Sequence, residues 1–196
     1  MKDVKDIKDV KDVKDKTEST DQPLCCKTAD IIIKPDSKVS FGHGCIVHPK
    51  AKIIAEGGCS IIFGEYNIIE ENVVIKATPK FDSNLNNNVT ITVFIGCYNH
   101  FKVGCHIENT SVENYNLFEY KCRLEDSYVE SQSIITAGIQ LPKRATVKSK
   151  SIIFDKQIRI ENSNYIEVDF IKYIKDLYKI LAVLLPKQNQ MHDISA

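Results

Sequence analysis

The stretch IGCYNHFKVGCHIENTSVENYNLFEYKCRLEDSYV, residues 95–129, carries a large apolar residue at nearly every sixth position. These residues are Ile95, Phe101, Ile107, Val112, Phe118, Leu124 and Val129. A small or compact residue follows four positions after many of them, as Cys105 follows Phe101. A fixed period of six matches neither a helix nor the simple alternation of a strand. The stretch therefore contains hexapeptide repeats.

The same spacing continues on both sides of this stretch. The further apolar sets are Phe41, Val47 and Ile53; Phe63, Ile69 and Ile75; and Ile135, Leu141, Val147 and Ile153. The further compact residues are Cys45, Ala51, Asn67, Val73, Asn99, Asn116, Cys122, Ser133, Ala145 and Ser151.

A period of six has a physical explanation in a triangular coil. A short strand and its bend form one side, three hexads return the chain above its start, and each coil lies about 4.8 Å above the last. We therefore predict an all-β fold over residues 25–160, a single-stranded left-handed parallel β-helix. Val47, Ile69, Phe118 and Val147 should line one interior.

Breaks in the period predict irregular corners. Ile53 and Phe63 are ten residues apart, and Gly57 and Gly58 between them indicate a small loop pushed out at a corner. Two steps of only five residues, one on each side of Phe118, predict tightened corners.

Two segments depart further from the repeat. Residues 76–94 are rich in asparagine and predict an inserted loop that leaves the prism. One hexad is missing near Val39 and Phe41, which leaves the number of N-terminal coils open.

The end of the chain changes to a helical period, and we predict a helix at 161–186 followed by a flexible tail at 187–196. Asn164 and Glu167 resemble a capping box, and Pro186 should stop the helix. This amphipathic helix should pack along one side of the prism, although part of its stripe could bind another protein. The predicted apolar stripe consists of Ile166, Phe170, Ile174, Leu177, Leu181 and Leu184.

The N-terminal segment is of low complexity. Val4, Ile7, Val10 and Val13 recur every third position between Lys-Asp pairs, a period that fits neither helix nor strand. We predict a charged, disordered tail at residues 1–24; a transient helix on a partner is the alternative.

Composition narrows the function classes. Lysine and arginine balance aspartate and glutamate at 26 each, which argues against nucleic acid as a partner. The longest apolar run near the end, LAVLL, is too short to span a bilayer, so we expect a protein without membrane insertion. The seven cysteines form no CxxC pair and should be reduced, mostly buried thiols of a cytoplasmic protein.

The histidines do not predict a metal or catalytic site. His43 and His48 are five apart, as in the γ-class carbonic anhydrases, but no histidine precedes them to complete a zinc site. His100 and His106 are six apart and should lie on two different sides of the triangle. We therefore expect no catalytic, cofactor-binding or metal-binding residues and no cofactor, with the histidines mostly solvated at the surface.

The run HPKAKIIAEGGCSIIFGEYNIIEENVVI, residues 48–75, resembles the dynactin subunit six family. The family's inserted loop after this run matches the position of residues 76–94, and IGCYNHFKVGC at 95–105 and VDFIKYI at 168–174 resemble its next coils and its C-terminal helix. The resemblance is weak at 125–160, and the N-terminal tail has no counterpart.

The resemblance implies a structural, non-enzymatic role. The family belongs to the pointed-end subcomplex of dynactin, with a second β-helical subunit, the pointed-end actin-related protein and a zinc-containing subunit as partners. It implies a cytoplasmic, cytoskeleton-associated protein that supports dynein-driven transport along microtubules. One end or face of the prism would dock the second β-helical subunit.

Two alternatives stay open. One is a hexapeptide-repeat enzyme, an acyltransferase or a γ-type carbonic anhydrase, which would act as a homotrimer. The other is a β-helical scaffold for a different assembly.

Overall fold

The computed structural model describes residues 22–155, 159–161 and 167–192. One helix, α1 (Glu167–Gln188), precedes the last described strand. In chain order the described strands are β1 (Leu24–Cys26), β2 (Asp30–Ile33), β3 (Lys38–Ser40), β4 (Ile46–Val47), β5 (Lys52–Ala55), β6 (Ser60–Phe63), β7 (Ile68–Ile69), β8 (Val74–Ala77), β9 (Lys80–Asp82), β10 (Asn87–Val89), β11 (Thr92–Ile95), β12 (His100–Phe101), β13 (His106–Glu108), β14 (Ser111–Val112), β15 (Leu117–Phe118), β16 (Arg123–Glu125), β17 (Tyr128–Val129), β18 (Ile134–Ile135), β19 (Thr146–Val147), β20 (Ser151–Ile153), β21 (Arg159–Glu161) and β22 (Met191–His192).

Three parallel sheets form the walls of a prism. Wall 1 contains β1, β4, β7, β12, β15, β18 and β20; wall 2 contains β2, β5, β8, β13 and β16; wall 3 contains β3, β6, β11, β14, β17 and β19. The chain visits walls 1, 2 and 3 in that order in successive coils, and only neighbouring coils are hydrogen-bonded. The predicted left-handed parallel β-helix is confirmed.

The hexad residues fill the interior. Val47, Ile69, Phe118 and Val147 are at most 4% exposed and belong to one continuous core, as predicted. Residues of the same wall stack from coil to coil, and the rings of Phe101 and Phe118 are parallel with centroids 4.6 Å apart. The compact residues lie near the corners, where little volume remains.

Corners are turned by residues in the left-handed backbone region. Lys50, Tyr66, Asn72 and Lys121 have φ between 53° and 61° although none of them is glycine. Pro49 precedes Lys50, so the bend in HPKA combines a fixed φ with one left-handed residue.

Asparagines stack inside the corner that joins wall 3 to wall 1. Asn67, Asn99 and Asn116 are fully buried. The Oδ1 of each accepts a hydrogen bond from the backbone N–H one coil further on, at Asn99 (3.1 Å), Asn116 (2.9 Å) and Ser133 (2.8 Å). This ladder satisfies backbone donors that the bend leaves without a strand partner.

The predicted loop between Ile53 and Phe63 is wrong. Ala55 and Ile61 are fully buried, so the extra residues lengthen β5 and β6 instead of leaving the prism. The turn between these strands lies at Gly57 and its neighbour, whose φ values are 63° and 78°.

No hexad is missing near Val39 and Phe41. Both residues pack against the interior, and the Phe41 ring stacks on that of Phe63 at 4.9 Å. The step of ten from Ile31 to Phe41 repeats the step from Ile53 to Phe63, because both coils have the lengthened strands.

The prism tapers along its axis. The first three coils, residues 24–95, have the long strands on both sides of the corner between walls 2 and 3, and we call them the wide coils. In the next coils, residues 100–147, single left-handed residues such as Asn109 (φ 48°) and Asp126 (φ 52°) turn this corner, and we call them the narrow coils. The predicted tightened corners are confirmed at these two positions.

The inserted segment is shorter than predicted and forms a hairpin. Ala77 and Val93 are buried in the prism, so the excursion covers residues 78–91 and contains the antiparallel pair β9–β10. It is held to the narrow coils by the pair between the Lys80 Nζ and the Asp126 Oδ1 at 2.8 Å. Its Thr78 N–H also donates to the Asn109 Oδ1 at 2.8 Å.

Helix α1 packs on wall 1, as predicted. Ile174, Tyr178 and Leu185 are buried against the outward side chains of Ile46 and Ile68. These two isoleucines alternate with the interior residues of β4 and β7, so wall 1 is apolar on both faces.

Three details of the helix prediction change. The proposed cap at Asn164 lies outside the described residues. Pro186 lies inside α1, so the predicted stop is wrong; in the last turn a proline removes a single helical hydrogen bond, and Asn189 then caps the Leu185 carbonyl. Leu184, assigned to the buried stripe, is 46% exposed.

Wall 1 is capped at both ends by the C-terminal part of the chain. β22 pairs antiparallel with β1 at the N-terminal end, and β21 pairs antiparallel with β20 at the other. The N-terminal tail was predicted for residues 1–24, but Leu24 already begins β1, and residues 1–21 lie outside the described part of the chain.

Candidate interaction surfaces

The two histidines of GHGCIVH do not converge. His43 is exposed at one corner, whereas His48 is 7% exposed beyond β4, with its Nδ1 3.0 Å from the Glu71 Oε1. The His48 Nε2 is buried without a hydrogen-bond partner among the described residues.

His100 fixes helix α1 to wall 1. Its Nε2 lies 2.7 Å from the Glu70 Oε1, and its Nδ1 lies 3.1 Å from the Tyr173 hydroxyl of α1. An ionised carboxylate can only accept, so the His100 Nε2 donates its proton to the Glu70 Oε1. This array is a polar anchor within an otherwise apolar interface.

Glu70 stays ionised in this anchor. Burial alone would raise the pKa of Glu70, but the hydrogen bond and charge of His100 and the Val103 N–H at 3.0 Å hold it below its ordinary value. Since His48 and His100 are both buried, the prediction of solvated histidines is wrong for these two. The reason is tertiary, because the covered wall and corner exclude water from residues that point outward.

His100 and His106 lie on walls 1 and 2, as predicted. The His106 Nε2 pairs with the Glu108 Oε2 at 3.3 Å. Across the described ranges, no group of three or more histidine, cysteine, aspartate or glutamate side chains could hold a metal ion.

The cysteines are free thiols, and six of the seven are buried, as predicted. Burial raises the pKa of Cys25 and of Cys45 to about 12. A thiol with so high a pKa is protonated at neutral pH and is therefore a poor nucleophile.

A tyrosine ladder forms the second support of α1, and sequence reasoning missed it. Tyr66, Tyr98 and Tyr115 occupy the same corner in three coils, with successive ring centroids 5.1 and 5.6 Å apart. The Lys175 Nζ of α1 lies 5.4 Å from the centre of the Tyr66 ring, and Tyr178 meets the same ring edge-on at 5.6 Å. The recurring Tyr-Asn in EYN, CYN and NYN is the sequence signal that could have predicted this ladder.

Among the residues that the structure describes, the N-terminal end of the prism is open on two walls. β2 and β3 each pair with one neighbouring strand and lie at the edges of their sheets. The interior side chain of Ile33 is 50% exposed, because none of the described coils covers it. Val39 and Phe41 are also only partly buried at this end. This end combines unpaired strand edges with uncovered interior side chains, a typical template for strand pairing.

The opposite end is better closed. Val147 and Ile153, in the last described coils, are 4% and 7% exposed. β21 adds an antiparallel strand there. The two ends of the prism therefore differ in how much apolar interior they present.

Other apolar side chains are exposed on the sides. Phe94 is 56% exposed beside Ile62 on wall 3, and Phe81 and Leu85 of the hairpin are each 65% exposed. Over the described residues, no helix is both long enough and apolar enough to cross a bilayer.

Comparison with known proteins agrees with the fold and the repeats. No protein-family model matches the chain. A curated protein of Nematostella vectensis, Dynactin subunit 6, is 30% identical over 131 residues, which cover 66% of this chain and 68% of the relative.

Two further relatives match a shorter region. Dynactin subunit 6 of Xenopus tropicalis is 42% identical and that of Danio rerio 44% identical, each over 71 residues, which cover between 34% and 35% of either chain. Among solved structures, a hexapeptide transferase family protein of Anaplasma phagocytophilum aligns with a TM-score of 0.55 and 16% identity, covering 83% of this chain and 93% of that one. At this identity the structural match shows the fold alone.

Proposed function

The chain belongs to the dynactin subunit 6 family, and from this membership we propose that it is a non-catalytic structural subunit of the dynactin complex. The observation that carries the proposal is the match to Dynactin subunit 6 across two thirds of both chains. A rigid prism with coils in fixed register suits a role in which surfaces, not reactive groups, are used.

The chemistry of the side chains supports a non-enzymatic role. His48 and His100, the two buried histidines, are each bound to a glutamate, and His100 is also bound to the helix. Neither is placed as a free base beside a nucleophile, and the buried thiols of Cys25 and Cys45 are protonated. We accordingly assign no catalytic, cofactor or metal-binding residues.

The proposed partners are those of the pointed-end subcomplex: a second β-helical subunit, the pointed-end actin-related protein and the zinc-containing subunit. The open N-terminal end is the surface we assign to the second β-helical subunit. Its edges β2 and β3 can accept strands, and Ile33 and Phe41 offer interior apolar area to the first coil of a partner prism.

As part of this proposal, we assign the protein to the cytoplasm, associated with the cytoskeleton, in support of dynein-driven transport along microtubules. The balanced charge of 26 basic and 26 acidic residues favours protein partners over nucleic acid. No cofactor and no membrane insertion belong to this proposal.

The test is affinity purification of the tagged full chain from its native cell, followed by mass spectrometry. We expect the second β-helical subunit and further dynactin subunits with the unchanged protein. Ile33→Asp should remove the second β-helical subunit, because it places a charge in the open interior. Phe94→Asp is the matched control, since Phe94 is similarly exposed but lies on the side of wall 3.

Three results would contradict the proposal. Recovery of neither dynactin subunits nor a second hexapeptide protein would remove it entirely. Equal loss with Phe94→Asp and Ile33→Asp would move the docking surface away from the N-terminal end. A purified homotrimer with stoichiometric zinc would favour the enzymatic alternative.

A further inference from the structure

Two buried cysteines are stacked in neighbouring narrow coils. Cys105 and Cys122 directly precede His106 and Arg123, which are paired in register on wall 2. The His106 N–H donates to the Cys122 carbonyl at 2.8 Å, so the two cysteines occupy the same corner, between walls 1 and 2, in adjacent coils. Both side chains are completely buried in the continuous interior core.

The two thiols converge on one backbone oxygen. The Cys105 Sγ donates to the Glu119 carbonyl at 2.9 Å, and the Cys122 Sγ lies 2.8 Å from the same oxygen. The two sulfurs are therefore within about 6 Å of each other. Neighbouring coils lie about 4.8 Å apart, and a disulfide needs Cα atoms about 4.4–6.8 Å apart, so the backbone spacing already suits a bond between the two sulfurs.

The two thiols differ in how easily they ionise. A hydrogen bond from the Cys122 thiol lowers the pKa of Cys105 below its ordinary value, although burial opposes this effect. The same hydrogen bond and burial raise the pKa of Cys122. Because the thiolate is the reactive form, Cys105 should be oxidised first, with Cys122 beside it as the resolving thiol.

The other cysteines have no cysteine in an adjacent coil. Cys45 is followed in the next coil by Asn67, and Cys59 by Ile91, whose N–H donates to the Cys59 sulfur at 3.4 Å. The two cysteines of β1 point to opposite faces of wall 1. Within the described ranges, which contain all seven cysteines, the stacked arrangement thus occurs once.

We propose that Cys105 and Cys122 are a reversible oxidation site, at which hydrogen peroxide forms a disulfide that joins two narrow coils. The Cys105 thiolate attacks one peroxide oxygen, the O–O bond breaks, and a sulfenic acid and hydroxide form. The Cys122 sulfur then attacks the sulfenic sulfur, and the S–O bond breaks. The two thiol protons leave with the two hydroxides, so two thiols and one peroxide give one disulfide and two waters.

The surroundings of the pair determine when the bond forms. Both sulfurs are buried, so peroxide reaches them only when the corner opens locally, and the reaction should be slower than oxidation of the partly exposed Cys97. In a reducing compartment the pair stays as thiols, and a thiol reductant restores them after oxidation. The disulfide closes a loop of one coil and should stabilise the narrow coils against unfolding.

The test is incubation of the purified full chain with hydrogen peroxide at neutral pH, followed by blocking of free thiols and tryptic digestion without reductant. Cleavage after Lys102, Lys121 and Arg123 places the two cysteines on separate peptides, 103–121 and 122–123. Mass spectrometry should find these peptides joined, and dithiothreitol should separate them. The oxidised protein should melt roughly 5–10 °C above the reduced protein.

Two variants serve as controls. Cys97→Ser removes the partly exposed thiol and should leave both the joined peptides and the rise in melting temperature unchanged. Cys122→Ser should abolish both, with circular dichroism to show that the prism is folded. The peptide analysis of the unchanged protein does not depend on the folding of either variant.

Three results would overturn the proposal. The first is that Cys105 and Cys122 stay reduced while Cys97 is oxidised. The second is that Cys105 is found joined to a different cysteine. The third is that the joined peptides disappear in Cys97→Ser, which would make the bond a product of exchange with the exposed thiol.

Discussion

The wide and narrow coils obey one repeat but differ in cross-section. In both, one large apolar residue per wall points inward, as Phe63 does in a wide coil and Val129 in a narrow one. The wide coils add a second inward residue on each side of one corner, such as Ala55 and Ile61. The hexad period therefore determines which side chains are interior. The number of residues between hexads determines how wide the interior is.

The difference in width coincides with a difference in exposure. The wide end leaves Ile33 half exposed, whereas Val147 and Ile153 at the narrow end are almost completely buried. α1 packs its buried face mainly on wall 1 of the wide coils, through Ile46 and Ile68. The candidate docking surfaces are therefore concentrated at the wide end.

The largest effect is expected from a charge inside the wide coils. Ile53→Asp should prevent folding, because an unpaired buried carboxylate costs more than about 5 kcal/mol, comparable to the stability of a typical domain. Circular dichroism and soluble yield measure the outcome. Lys52→Ala, at the exposed neighbouring position, should fold normally. Persistence of about half of the β-sheet signal in Ile53→Asp would show that the narrow coils fold on their own. The two regions would then differ in folding as well as in width.

The next effect concerns the asparagine ladder, which crosses from the wide to the narrow coils. Asn99→Ala should destabilise the protein by roughly 2–4 kcal/mol, because the Asn116 N–H and the Glu113 carbonyl both lose a partner. Chemical denaturation measures the change. Cys45→Ala, at the matching corner of a wide coil, should cost less, since the thiol makes only weak hydrogen bonds. Equal destabilisation by Asn99→Ala and Cys45→Ala would show that the asparagine ladder adds no stability where the wide coils meet the narrow coils.

A smaller effect is expected at the anchor that joins α1 to wall 1, where His100 of the first narrow coil pairs with Glu70 of the last wide coil. Glu70→Gln replaces the carboxylate that accepts from His100 and Val103 and should cost about 1–2 kcal/mol at neutral pH. The pKa of Glu70 is lowered from its ordinary value of 4.5 in the folded state. The contribution should therefore be fully present above about pH 4.5 and be lost as the pH falls through the lowered value.

Denaturation of both proteins at a series of pH values checks this assignment. The difference between the unchanged protein and Glu70→Gln should stay constant between about pH 5 and 6 and shrink in more acidic solution. A difference that persists unchanged well below the ordinary pKa would show that the carboxylate charge is not what holds the helix.

The smallest effect is expected at a corner of the narrow coils. Gly138 has a φ of 74°, and an added Cβ would meet no atom within 4 Å. Gly138→Ala should therefore cost only the backbone strain of the left-handed region, about 1 kcal/mol, and lower the melting temperature by about 2–4 °C. In the wide coils, Gly44 has a φ of 65° and an added Cβ would lie 2.5 Å from the Tyr66 ring, so Gly44→Ala should cost more. Similar destabilisation by Gly138→Ala and Gly44→Ala would show that the Tyr66 ring can move aside at little energetic cost.

Much of the prism follows from sequence because a repeat places chemically similar residues at similar positions. The spacing of Phe101, Ile107 and Phe118 predicts three walls and their interior columns without any long-range information. The step of ten residues is ambiguous, because a corner loop and two longer strands have the same length in sequence. Ala55 and Ile61 alternate correctly for strands, which was the available signal.

The surfaces were harder to predict. His100 is a polar residue in an outward position, and only the arrival of α1 makes it buried. Leu184 falls on the predicted buried stripe because several apolar rows of α1 overlap in sequence. The wall decides which row is buried, and Tyr178 and Leu185 take the inner positions.

The sequence by itself determined the hexapeptide prism, its columns of interior side chains and the presence of an amphipathic C-terminal helix, because these depend on the spacing of apolar residues along the chain. The tertiary structure alone decided that the helix covers wall 1, that the wide end stays open on two walls and that His48 and His100 are paired instead of solvated. Those features depend on which surfaces meet, and contacts between residues far apart in the chain leave no period in the sequence.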